Sequence, residues 1–213
     1  MNLKYNYWFF KNALTDKNCS DIIQLGKSKQ LEIAVTGAQT KIIKKKNVNE
    51  LTKKEIKDLK KVRNSEVLFL NDPWLYNLIT PYVNQANNAS GWNYDITWNE
   101  SFQFTSYKKN QHYSWHQDGH EEPYKSTDPN FNNKIRKLSV ICSLTDSKEY
   151  KGGKVEIQIP NPNNKKIVTH EIKELKTKGT VVVFPSFIWH RVSPVTKGHR
   201  NSLVMWAIGP SFK

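Results

Sequence analysis

The chain has 213 residues, 37% hydrophobic and 12% aromatic, which suits one domain with its own core and excludes a disordered chain. Its 33 Lys and Arg against 19 Asp and Glu give a net charge of +14. Arginine stands only at positions 63, 136, 191 and 200, so the excess reads first as a lysine-rich solvated surface and only second as a nucleic-acid footprint. Cys19 and Cys142 lie far apart without a CxxC, against a disulfide framework or a thiolate zinc finger. No apolar run reaches the ~20 residues of a membrane helix. The first ten residues lack a leader pattern, so no membrane association and a cytoplasmic location are expected.

Along the chain, Trp8-Phe9-Phe10 is a short apolar run. Asp16 opens a helical pattern through Cys19, Ile22, Ile23 and Leu25, with Gly26 as its expected stop. Ile33 to Val35 suggests a strand. Residues 37–63 form a polar excursion in which Thr52 and Glu55 predict a capping box before Ile56 and Leu59; the excursion reads as surface structure or as a flap over a site. Ser65 to Leu70 predicts a strand. Asn71-Asp72-Pro73 then starts a helix whose buried face is Leu75, Leu78, Ile79, Tyr82 and Val83.

From Tyr94 the texture turns to short β-rich runs: 94–98, 101–107, 112–116, 135–144, 154–159, 167–172, 180–184 and 201–208. Strands at this spacing predict a jelly roll or barrel. Residues 119–134 form a long polar insertion. The expected organisation is α+β: residues 1–93 a helix-and-strand elaboration packing on the core, residues 94–213 the β-rich core, together one structural domain.

Within that core, His116 and Asp118 are two residues apart, and an extended strand would point them the same way. A neutral imidazole and a carboxylate suit Fe(II). His190, after the apolar run Val181 to Phe184, is the best third ligand, and two histidines with one carboxylate leave coordination positions open. Arg200, opening the last strand, can clamp a carboxylate. Taken singly, each of these residues also suits a purely structural role.

Taken in order, the segments Gln103 to Tyr107, His112 to Asp118, Leu138 to Thr145, Tyr150 to Val155, Gly179 to Pro185 and His190 to Arg200 resemble the 2-oxoglutarate- and Fe(II)-dependent oxygenases of the prolyl 4-hydroxylase superfamily. Arg63-Asn-Ser and the Asp72-Pro-Trp-Leu-Tyr helix look more loosely like bacterial and viral members. The resemblance implies a double-stranded β-helix, cupin-like, with N-terminal supporting helices. It implies Fe(II) on His116, Asp118 and His190, and 2-oxoglutarate with its distal carboxylate on Arg200. Tyr107 matches a tyrosine near the co-substrate and Trp206 an aromatic beside the metal.

The implied reaction consumes O2, decarboxylates 2-oxoglutarate to succinate and hydroxylates a substrate C–H, with ascorbate as an optional reductant. Where some relatives place a second tyrosine, this chain has Ser143, so Ser143, Thr105 or a water is expected to assist Arg200. The expected substrate is a prolyl residue in a protein or peptide, packed by aromatics such as Tyr124, Trp189 or Trp206 and flanked by acidic residues. The alternatives are a free amino acid, another small molecule or a nucleic acid base under the same chemistry. A non-enzymatic, nucleic-acid-binding β-barrel ranks third. Oligomeric state stays open.

Overall fold

A computed structural model of the chain describes residues 3–34, 51–119, 122–161, 163–164 and 166–212. In chain order the first elements are β1 (Trp8–Phe10), α1 (Asp16–Lys27), β2 (Glu32–Ile33), α2 (Lys53–Val62), β3 (Arg63–Asn64), β4 (Glu66–Leu70) and α3 (Pro73–Ala89). There follow β5 (Trp98–Asn99), β6 (Phe102–Tyr107), β7 (His112–His116), β8 (Lys134–Ser143), β9 (Tyr150–Gly152), β10 (Val155–Pro160) and β11 (Ile167–Glu171). A 3-10 turn (Lys173–Lys176), β12 (Val181–Pro185), β13 (His190–Val192), β14 (Val195–Gly198) and β15 (Arg200–Pro210) complete the fold.

Local chemistry accounts for the helices. Thr15 and Asn18 form a capping box at the start of α1, and Thr52 and Glu55 form one at α2. Pro73 occupies the first turn of α3, where its missing N–H costs nothing. Leu75, Ile79, Val83 and Ala86 bury one face of that helix. Gly26 is not the stop signal its position suggests. It lies inside α1, and a Cβ there would stand 2.4 Å from the Phe104 ring. The glycine lets the helix backbone sit directly on β6.

The strands form two antiparallel sheets and a small ribbon. The larger has eight strands in the order β1-β12-β8-β15-β6-β4-β2, with β5 added to β15. The smaller runs β11-β10-β13-β7-β3, and β14 pairs β9. One core lies between the large sheet and the helices, with Phe102, Phe104, Leu203 and Met205 against Ile22, Leu75 and Ile79. A second lies between the sheets, with Ile141, Val155, Ile157, Val182 and Phe184. This is a double-stranded β-helix with its helices on one outer face. β1, β2 and β4, from the first ninety-three residues, are strands of the large sheet itself.

Several expectations shift. Of the expected strand 94–98 only Trp98 is paired, in β5 with Asn99, because Asn87 captures Tyr94 on both backbone groups, at 2.8 and 2.9 Å. The 37–63 excursion divides: 51–63 carry α2 and β3, and the rest lies outside the described residues. The insertion is a built loop over 122–134, closed by Tyr124 N–H to the Lys134 carbonyl and Asn133 N–H to the Tyr124 carbonyl, each at 2.9 Å.

Candidate active site

His116 ends β7 and His190 begins β13, and the two are direct cross-strand partners. Pairing therefore sets both imidazoles side by side on one face, their ring centroids 4.1 Å apart. Asp118 does not reach them along the pleat. The strand ends at His116, and the Asp118 and Gly119 amides donate to the Ser186 carbonyl at 3.0 and 2.8 Å, which turns the carboxylate back toward the rings. Asp118 Oδ1 lies 3.6 Å from His116 Nε2 and Oδ2 lies 3.4 Å from His190 Nε2. One ligand atom from each of the three lies within 4.8 Å of the others, the one such group among the described residues.

Hydrogen bonds around the three prepare them to bind a cation. His116 Nδ1 donates to the Ser114 carbonyl at 2.8 Å and His190 Nδ1 to the Ile188 carbonyl at 2.9 Å. A carbonyl only accepts, so Nδ1 carries the proton and each Nε2 offers a lone pair. Burial, reinforced by His190, pushes His116 down to about 3, so its ring is neutral at working pH. Burial pushes the Asp118 carboxyl up, but His190, His116 and Arg136 together outweigh it and hold the group well below its usual range. Ser139 Oγ donates to Asp118 Oδ2 at 2.8 Å and fixes the carboxylate plane. Three electron-pair donors so close to one another call for a shared cation.

The same chamber holds Arg200, Tyr107 and Trp206. On β15, positions 200, 202, 204 and 206 face inward, as a period of two requires. Arg200 is only 2% exposed, with its guanidinium 5.5 Å from the Tyr107 ring centre. Its Nη1 donates to Ser202 Oγ at 3.3 Å, and its buried Nη2 has no hydrogen-bond partner among the described residues. The hydroxyl beside Arg200 is thus that of Ser202. Ser143 instead donates to the Leu175 carbonyl at 2.9 Å, and Thr105 accepts from Gln103 Nε2 at 2.9 Å. Serine side chains are short, and the Ser143 hydroxyl is held by the 3-10 turn. Trp206 lies under the Arg136 guanidinium at 3.8 Å, with its Nε1 buried and unpartnered. Of the other expected aromatics, Trp189 is 46% exposed, and Tyr124 donates to Glu100 Oε1 at 2.8 Å, the carboxylate that also grips Arg136.

Residues 102–208, half of the chain, match the family described as the 2OG-Fe(II) oxygenase superfamily. The chain belongs to that superfamily. Its relatives include a PKHD-type hydroxylase of Aliarcobacter butzleri (strain RM4018), 29% identical over 150 residues, or 70% of this chain and 51% of that protein. Another PKHD-type hydroxylase, from Synechococcus sp. (strain CC9605), is 34% identical over 95 residues, 44% of this chain and 35% of that protein. The chain spans about half, or less, of the length of the curated relatives it matches.

Solved structures of similar fold include a viral collagen prolyl hydroxylase from Paramecium bursaria Chlorella virus-1 in complex with 2OG. It has a TM-score of 0.59 and 18% identity over 97% of both chains. A prolyl hydroxylase from Trichoplax adhaerens, in complex with a hypoxia inducible factor peptide fragment, gives a TM-score of 0.65 at 16% identity, over 96% of this chain and 84% of that one.

The residues of this 2OG-Fe(II) oxygenase fit both groups the family name carries. The donor set is two imidazoles and one carboxylate, suited to Fe(II). The orphaned nitrogen of Arg200 suits an incoming carboxylate, which would satisfy a buried cation otherwise costly to leave unpaired.

Besides Ser202, the polar chamber residues with no role assigned from sequence are Arg63, Gln103 and Tyr113. Tyr113 stacks on His116 at 3.5 Å and Arg63 lies over Tyr113 at 4.4 Å. Arg63 Nη1 in turn donates to Gln103 Oε1 at 3.4 Å, extending the stack to β6. A regular strand would turn Tyr113, three residues before His116, to the other face; the register shift between His190 and Val192 brings it to the same side, and no spacing in the sequence signals that. Nothing in a one-dimensional pattern places Arg63 beside it, fifty residues earlier.

Proposed function

We propose that this chain is a 2-oxoglutarate- and Fe(II)-dependent dioxygenase that hydroxylates prolyl residues in a protein or peptide. One observation carries the reading: His116, Asp118, His190 and Arg200, whose Nη2 has no partner among the described residues, share a single chamber. His116, Asp118 and His190 are read as the metal ligands, with Ser139 and the Ser114 and Ile188 carbonyls orienting them. Arg200, steadied by Ser202 above Tyr107, takes the distal carboxylate of 2-oxoglutarate and so fixes how the co-substrate presents its keto acid end.

When bound, the iron supplies the redox chemistry that couples decarboxylation to C–H oxidation. The apolar walls, Ile141, Val192 and Val204, keep water from the reacting atoms. Trp206, covered by Arg136 on one side, gives the chamber a flat aromatic face suited to a proline ring, while both faces of Tyr113 are taken by His116 and Arg63. The neighbours of similar fold are themselves prolyl hydroxylases, one of them with a peptide, which supports the same substrate class. The lysine-rich surface charge favours acidic flanks. A reducing, cytoplasmic setting goes with the two free, buried thiols of Cys19 and Cys142.

The test is anaerobic loading with Fe(II) and 2-oxoglutarate beside a peptide panel, then admission of O2. Succinate formation with one oxygen added to proline is expected. Succinate formed only with free proline or a methylated oligonucleotide would overturn the substrate. Absence of metal-dependent succinate with every candidate, in a chain shown to bind Fe(II), would overturn the activity.

A further inference from the structure

On the side of the large sheet away from the chamber, a groove of about 550 Å³ runs between α3 and the segment leading through β5. Its helical wall is Tyr76, Thr80 and Asn84, one position per turn, beside the stripe that faces the core. Opposite stand Trp98 and Asn99, with Asn71 at the end. Among the described residues no Asp, Glu, Lys, Arg or His lines it, although 24% of this chain is charged. A phosphate or carboxylate would find no cation here, and a basic segment no anion.

What the groove offers is hydrogen bonding and one flat ring. Trp98 is 44% exposed, yet its backbone is held in register with Ile208, and Thr97 N–H donates to the Ile208 carbonyl at 2.9 Å. The indole is therefore an exposed platform on a rigid strand, not a loose surface side chain. Asn99 Nδ2 donates to Thr80 Oγ1 at 3.2 Å, while its Oδ1 is buried with no partner among the described residues. With Asn71 and Asn84, the Asn99 amide gives the groove a row of neutral donors and acceptors for hydroxyl groups. The Tyr76 hydroxyl donates toward Asn71 Oδ1 at 3.2 Å, which orients that amide along the groove.

From these features we infer that the groove is a binding subsite for a neutral, hydroxyl-rich ligand, an oligosaccharide, with a sugar ring stacked on Trp98 and hydroxyls on Asn71, Asn84 and Asn99. An aromatic platform with amides around it matches the two faces of a pyranose: C–H groups for the ring, hydroxyls for the amides. The volume falls within the range of small-ligand sites. The inference does not rest on the oxygenase reading. The groove and chamber meet at β15, where β5 pairs with Ala207 and Ile208, Glu100 N–H donates to the Trp206 carbonyl at 2.8 Å and the Tyr76 hydroxyl donates to the Glu100 carbonyl at 3.3 Å.

The experiment titrates the full chain with neutral oligosaccharides (gluco-, manno-, galacto- and N-acetylglucosamine series), read by saturation-transfer NMR and calorimetry. A heparin fragment and a neutral Ser/Thr-rich peptide serve as the other arms. Saturable binding of at least one neutral series below about 10 mM is expected. Trp98→Ala should weaken it roughly tenfold or more, as loss of a central aromatic anchor does, and Trp98→Phe should retain most of it. Asn99→Ala should also weaken it, and none of the three should alter metal or 2-oxoglutarate binding. No neutral saccharide binding, binding indifferent to Trp98→Ala with the fold intact by circular dichroism, or binding of the heparin or peptide arm alone would each overturn the inference.

Discussion

Arg200 shows most plainly what a single residue contributes. A guanidinium 98% removed from solvent, with one nitrogen unpaired among the described residues, is held ready for an incoming partner. Truncating one member of such a buried pair costs about 2–5 kcal/mol. Arg200→Ala should therefore weaken 2-oxoglutarate binding more than tenfold, measured by calorimetry with Mn(II) in the metal site. Arg200→Lys should restore little, because a point charge cannot reproduce the fork. The two serines separate cleanly: Ser202→Ala should cost co-substrate affinity, whereas Ser143→Ala should lower stability by about 1 kcal/mol and leave affinity unchanged. At the metal, Asp118→Ala or His190→Ala should abolish stoichiometric Fe(II) or Mn(II) uptake, read by metal analysis, with the melting temperature of the metal-free chain little lowered. Retained uptake in either variant would remove that residue from the ligand set.

Among the elements, α1 carries an inverted expectation. Gly→Ala inside a helix ordinarily stabilises by about 1 kcal/mol. At Gly26 the added methyl would meet the Phe104 ring, so Gly26→Ala should instead destabilise by about 1–3 kcal/mol in urea unfolding. The sequence pattern could show that Gly26 ends the apolar stripe, but not which side chain of a strand seventy-eight residues away lies against it. The same division runs through the site. The long β-rich runs of β6, β8 and β15 were legible, as was the capping box of Thr52 and Glu55, whereas Thr15 and Asn18 lack the Glu or Gln that marks such a box in a sequence. β9, β13 and β14 were not, since three or four residues hold no measurable period and pair only because the chain between them folds back. His116, Asp118 and His190 could be singled out by type and spacing. The turn at Ser186 that aims Asp118, and the choice of Ser202 over Ser143 beside Arg200, are decided by contacts no spacing encodes.

For the molecule as a whole, the boundary expected near residue 93 divides one sheet. β1 pairs β12 and β4 pairs β6, and α1 and α3 cover the apolar outer face. A chain cut to residues 94–213 should consequently expose Phe102, Phe104, Leu203 and Met205 and the unpaired edges of β6, β7 and β12, and aggregate in size-exclusion chromatography. The lysine-rich charge acts at this scale too. Acidic-flanked peptides should show a KM that rises with salt from about 50 to 200 mM, while neutral ones should not.

β6 and β15 each present alternate residues to two interiors, Phe104 and Leu203 to the helices, Tyr107 and Arg200 to the chamber. A partition one strand thick cannot keep separate accounts of what happens on its two sides. Filling the chamber should slow hydrogen exchange in α1, which touches no ligand, and loosening α1 should let 2-oxoglutarate escape faster. The helix layer is then part of the grip on a molecule it never meets.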